Sequence, residues 1–131
     1  MLPLLRHPAI WFSALLSWFS LLWILSSLSG LPDIIPPSPI PHFDKVEHFG
    51  FFLGGGVLFT GCLLSLTPGP PAWPRVFGTA IIALALIGVL DEYHQCFTPG
   101  RSGADPWDWL ADVLGATAGV LVFRAMFRRW L

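Results

Sequence analysis

Residues 79–101 read TAIIALALIGVLDEYHQCFTPGR. From Thr79 to Leu90 the run is apolar and long enough to be the inner part of a membrane helix. Asp91 and Glu92 then stand where lipid-facing sequence would have continued, and His94, Gln95 and Arg101 follow closely. Ionisable groups at the end of a span are costly, so they face protein or water and often mark function.

The rest of the chain has the same character. Of 131 residues, 54% are hydrophobic and 11% charged, whereas a soluble domain carries about a quarter charged residues. Charge this sparse cannot solvate a surface, and the apolar residues come in long blocks, which is the membrane class. Four spans are expected, at about residues 9–28, 45–66, 75–97 and 106–127, within one domain covering 1–131. The first suits an uncleaved anchor, because its apolar stretch is long for a signal-peptide core. Prolines punctuate the connections: Pro32, Pro36, Pro37, Pro39 and Pro41 forbid a helix in the first loop. Pro74 and Pro106 suit the first turns of the third and fourth spans. The expected fold is an all-α integral membrane protein, a four-transmembrane-helix bundle.

Basic residues set the expected orientation. Arg6, Arg75, Arg124, Arg128 and Arg129 lie at the termini and in the second loop, in regions free of acids. The positive-inside rule therefore predicts both termini in the cytoplasm. All 8 acids (Asp33, Asp44, Glu47, Asp91, Glu92, Asp105, Asp108 and Asp112) then fall on the opposite side. Lys45, His48, Gln95 and Arg101 join them there.

Helical spacing refines this cluster. Asp44 and His48, Asp91 and Gln95, and Asp108 and Asp112 are each separated by four positions and share a face. Glu92 is rotated by about 100° from Asp91, so Asp91 and Gln95 are expected to face the site, with Glu92 and His94 toward its flanks. Below these pairs lie small residues at spacing four, Ala111/Gly115/Gly119 and Gly50/Gly54, which let membrane helices approach closely. A polar cavity at the extracytoplasmic end of the bundle is the expected result.

Three uses of such a cavity compete. Structural glue accounts for some of the groups, since interhelical polar bonds contribute about 1 kcal/mol each. Catalysis would use Asp91, Glu92 and His48 for proton transfer, with Asp44, Lys45, Gln95, Arg101, Asp108 and Asp112 binding substrate. Binding without turnover would use the same set. No recognised metal spacing is present, so neither a metal nor a cofactor is expected, although Asp91, Asp112 and a His offer ligands. Four spans without an inverted repeat and with a dry cytoplasmic half do not favour a transporter, and there is no nucleic-acid footprint. Cys62 should lie about 20 Å deeper than Cys96 at about 1.5 Å per residue, too far for a disulfide.

With these residues in place, the chain resembles the VanZ-like family of small bacterial membrane proteins. The resemblance rests on Asp44-Lys45-x-x-His48-Phe49, Asp91-Glu92-x-x-Gln95 and Pro99-Gly100-Arg101-Ser102. It continues through Asp108-x-x-Ala111-Asp112-x-x-Gly115-Ala116-x-x-Gly119, so that it spans about residues 40–123. Members commonly carry Asn where this chain has Asp112. The resemblance implies a multi-pass protein of the bacterial cytoplasmic membrane, linked to resistance to the glycopeptide teicoplanin. The expected partners are the lipid bilayer and a lipid headgroup, lipid-linked glycan or lipoglycopeptide.

Overall fold

Four α-helices follow one another: α1 (Pro8–Ser26), α2 (Phe43–Leu66), α3 (Trp73–Gln95) and α4 (Pro106–Phe127). The computed structural model describes residues 7–29 and 41–127. Each helix is long and apolar enough to cross a membrane, and each expected span agrees with its helix to within two residues at either end. The proline-rich stretch 30–40 with Asp33, and the charges Arg6, Arg128 and Arg129, lie outside the described residues.

Local chemistry explains the boundaries. A proline stands in the first turn of α1 and of α3, where its missing N–H would have had no partner. Pro106 opens α4, and the Asp105 carboxylate just before it accepts the backbone N–H of Trp107 at 2.8 Å, as an N-cap does. α2 begins differently. His42 adopts the left-handed conformation, φ 57°, without a side-chain cap, and Asp44 lies in the first turn, where the helix dipole favours an anion. Gly100, φ 80°, takes the turn after α3.

Small residues set the helix spacing. α2 and α4 form the main contact of the bundle. A methyl group added to Gly115 would strike the Phe49 carbonyl, one on Gly119 the Leu53 carbonyl, and one on Gly56 the Ala116 carbonyl. Backbone thus lies against backbone along this seam, the close approach that small residues at spacing four permit in membranes. The α4 ridge matches expectation at Gly115 and Gly119. The α2 ridge does not: Gly50 has open space beside it, and Gly54 and Gly55 receive Trp18 and Phe19 of α1. In the Gly54-Gly55-Gly56 run each residue turns by about 100°, so the run serves two neighbouring helices.

Phe52, Leu84 and Ala116 pack at the centre, while Ile82, Leu86, Leu90, Leu114 and Leu121 are exposed. Water would not tolerate so much exposed apolar surface on one small protein, whereas hydrocarbon does. Cys62 and Cys96 are both free. The up-and-down path brings the ends of α1 and α3 and the starts of α2 and α4 to one end of the bundle, where Ser26 meets Asp91 and Lys45 meets Asp105.

Candidate functional site

The polar residues at this end form two separate groups. The first ties α1 to α3. Ser26 donates its hydroxyl to Asp91 Oδ1, and Gln95 Nε2 donates to Asp91 Oδ2 at 2.9 Å. Thr98 donates to the Ser26 carbonyl at 3.1 Å. Arg101 reaches back to carbonyls at and just beyond the end of α1, Nε to Leu28 at 3.3 Å and Nη2 to Leu25 at 3.2 Å. The Leu25 carbonyl also accepts the Leu28 N–H at 3.2 Å, and the guanidinium adds a second donor at this helix end. The His94 ring stacks on Trp23 with centroids 3.8 Å apart. Both oxygens of Asp91 are therefore occupied, and its environment is a closed clasp.

The second group lies between α2, α4 and the end of α3. Lys45 Nζ is 2.9 Å from Asp44 Oδ2, 2.6 Å from Asp105 Oδ2 and 2.8 Å from Asp108 Oδ1. One turn deeper, His48 Nδ1 meets Asp112 Oδ1 at 2.9 Å, and its Nε2 stands 3.9 Å from Asp108 Oδ2. A carboxylate only accepts, so Nδ1–H is the donor to Asp112. Asp112 is fully buried and Glu92 is 5% exposed. Glu92 Oε2 accepts the Asp105 backbone N–H at 2.7 Å, while Glu92 Oε1 and Asp112 Oδ2 are buried without a hydrogen-bond partner. Gly88 makes room for the second of these oxygens, since a methyl there would lie 2.7 Å from it.

The α3–α4 loop is folded back onto this group. The backbone N–H groups of Ala104 and Asp105 both bond to Glu92, the first to its carbonyl at 3.4 Å. Asp105 lies outside the helices, and the hydrogen bond from Lys45 holds its carboxyl below the usual aspartate range. Donor atoms of His48, Glu92 and Asp108 lie within 4.8 Å of one another, as do those of Asp44, Asp105 and Asp108. Lys45 already supplies the positive charge of the second trio.

A family model described as VanZ/LLP1 matches residues 9–128. The chain belongs to the VanZ/LLP1 family. Searches of curated proteins and of solved structures returned no match. The family assignment and the four apolar helices make it a multi-pass membrane protein.

In this VanZ/LLP1 protein the sequence-derived set is divided. Lys45, His48, Glu92, Asp108 and Asp112 converge, with Asp44 at the rim. Asp91, Gln95 and Arg101 are drawn to α1 instead. The expected facing of α3 thus differs: Glu92 joins the α2–α4 group, while both Asp91 oxygens are taken by Ser26 and Gln95. The physical reason is α1, whose apolar face gave no sign that Ser26 would claim a carboxylate. Asp105 joins the convergent group without having been among the candidate site residues. Its signal was available, as Asp directly before the Pro that opens a helix is a capping pattern.

Proposed function

We propose that the group formed by Lys45, His48, Glu92, Asp108 and Asp112 is an extracytoplasmic site that binds the polar part of an envelope lipid or lipid-linked glycan. The protein would then sit in the bacterial cytoplasmic membrane with both termini inside, the orientation that the basic residues favour. One observation carries the reading: two carboxylate oxygens, Glu92 Oε1 and Asp112 Oδ2, are buried at the membrane end of the bundle with no partner. A buried polar atom left without a partner costs about 1–3 kcal/mol, a cost that a ligand with hydroxyl or amino donors would offset. Trp107 and Val46, both exposed beside the site, offer an apolar margin to the rest of a lipid.

A catalytic version assigns proton transfer to His48, held by Asp112, with Glu92 beside it. Altered headgroups would then underlie the family's link to teicoplanin resistance. Binding without turnover is the second reading, and the saturation of Asp91 favours it, because one of the expected acid–base residues has no free oxygen.

Mass spectrometry of lipids copurified with the protein tests both. Wild type should retain one headgroup class, and Glu92→Gln should release it. A teicoplanin susceptibility assay and the lipid profile of His48→Gln then separate the readings. For that variant, lost resistance with retained lipid indicates chemistry, whereas loss of both indicates binding. Equal lipid profiles for wild type and Glu92→Gln would sink the proposal.

A further inference from the structure

We propose that His48, Glu92 and Asp108 bind one divalent cation of the zinc or manganese class, with Asp112 orienting the imidazole. The inference deepens the reading above by giving the site a cation, but depends on that reading only for what the cation would hold.

Geometry is the first support. One donor atom from each of the three residues lies within 4.8 Å of the other two. Two ligands each about 2.1 Å from a metal can stand up to about 4.2 Å apart. The 3.9 Å between His48 Nε2 and Asp108 Oδ2 is within that span, and the widest separation needs only a small closure of the side chains. The same 3.9 Å is too long for a hydrogen bond, so Nε2 donates no proton to Asp108.

The tautomer is the second support. Nδ1 lies 2.9 Å from Asp112 Oδ1, so in the imidazole that keeps its proton on Nδ1 the Nε2 lone pair faces the site and can ligate. The carboxylates around the ring call for a positive centre, supplied either by the doubly protonated imidazole or by a cation that takes the place of its Nε2 proton. A carboxylate behind the far ring nitrogen is the usual outer-shell partner of a metal-binding histidine.

The third support is the orphaned oxygen. Glu92 is 5% exposed and its Oε1 has no hydrogen-bond partner. Asp44, Asp105 and Asp108 share the Lys45 ammonium, whereas among the described residues the positive charge acting on Glu92 is that of the His48 ring. The other acidic trio, Asp44, Asp105 and Asp108, has no comparable need because Lys45 sits within it. An imidazole with two carboxylates suits zinc or manganese better than calcium, which prefers an all-oxygen set.

Direct metal binding tests this with full-length protein in nanodiscs, free of added lipid ligand. After dialysis against zinc and then against metal-free buffer, elemental analysis should find about one zinc per chain. Titration with manganese, followed by electron paramagnetic resonance, should show one site. Glu92→Gln and His48→Gln should each weaken binding at least about tenfold, and Asp112→Asn by about tenfold through the imidazole. Glu47→Gln, on an exposed position of α2, should bind as wild type does. Should Glu92→Gln fail to insert, Glu92→Asp and His48→Gln carry the comparison. Wild type without stoichiometric zinc or manganese overturns the proposal, as does a Glu92→Gln or His48→Gln protein that binds like wild type. Either result leaves the lipid-binding experiment untouched, since that assay reads headgroups and not metal.

Discussion

The α1–α3 clasp and the α2–α4 site use the same kinds of residue at the same end of one bundle, yet they differ in closure. In the clasp, Asp91 has a donor on each oxygen and Arg101 bonds two helix-end carbonyls. The one buried polar atom without a hydrogen-bond partner among the clasp's described side chains is His94 Nδ1, on a ring stacked against Trp23. In the site, Glu92 and Asp112 each keep one buried oxygen without a partner. A closed network holds helices together. An open one stores an unmet demand for a ligand, proton or cation. Adjacent acids, Asp91 and Glu92, thus take opposite roles because one helical step of about 100° points them at different neighbours.

The largest effect is expected where the site alone is broken. Gly115→Val would drive a side chain into the Phe49 carbonyl. Neither backbone can yield easily, so the loss should reach about 3 kcal/mol, the upper end of overpacking costs. Thermal unfolding in detergent measures it. The clasp does not pass through this seam, so Trp23 quenching by the stacked His94 should persist at temperatures where the site has opened.

Asp91→Ala comes next. It strands the Ser26 hydroxyl and the Gln95 amide, both buried, at a cost of about 2 kcal/mol. Glu92→Gln should instead change stability by less than about 1 kcal/mol, because it removes an uncompensated buried charge while retaining an acceptor for Asp105 N–H. Function should respond in the reverse order, with Glu92→Gln abolishing headgroup retention and Asp91→Asn retaining most of it. A Glu92→Gln protein less stable than Asp91→Ala would erase the distinction between the two regions.

Much of this architecture was legible in the residues. Long apolar blocks and the prolines at helix starts placed all four spans, because a membrane leaves helices as the simplest way to satisfy backbone groups. Gly115 and Gly119 marked the α4 seam by their spacing. The division of the polar cluster was not legible. Spacing within one helix tells which residues share a face, but which neighbour that face meets depends on how the helices pack. Ser26 sits in an ordinary serine-rich helix end, with nothing local to announce its bond to a residue on α3. Glycines likewise gave the possibility of close contact without the partner, which is why Gly54 takes Trp18 and not α4.

The smallest effect concerns the rim of the site. Asp105 accepts from Lys45 at 2.6 Å, and this hydrogen bond lowers its carboxyl from the ordinary value of 3.8. A carboxyl depressed on folding binds its proton more weakly in the native state than in the unfolded one. Its contribution to stability is therefore complete above about pH 4–5 and declines as pH falls through the depressed native value. Lys45→Met should remove that dependence, flattening the acid limb of the unfolding midpoint below pH 4 relative to wild type. Arg101→Gln, whose contacts are exposed carbonyls of the clasp, should leave the acid limb unchanged and cost less than about 1 kcal/mol at neutral pH. An acid limb that followed Arg101 and ignored Lys45 would place the titrating rim on the clasp, against the assignment of charge to the α2–α4 site.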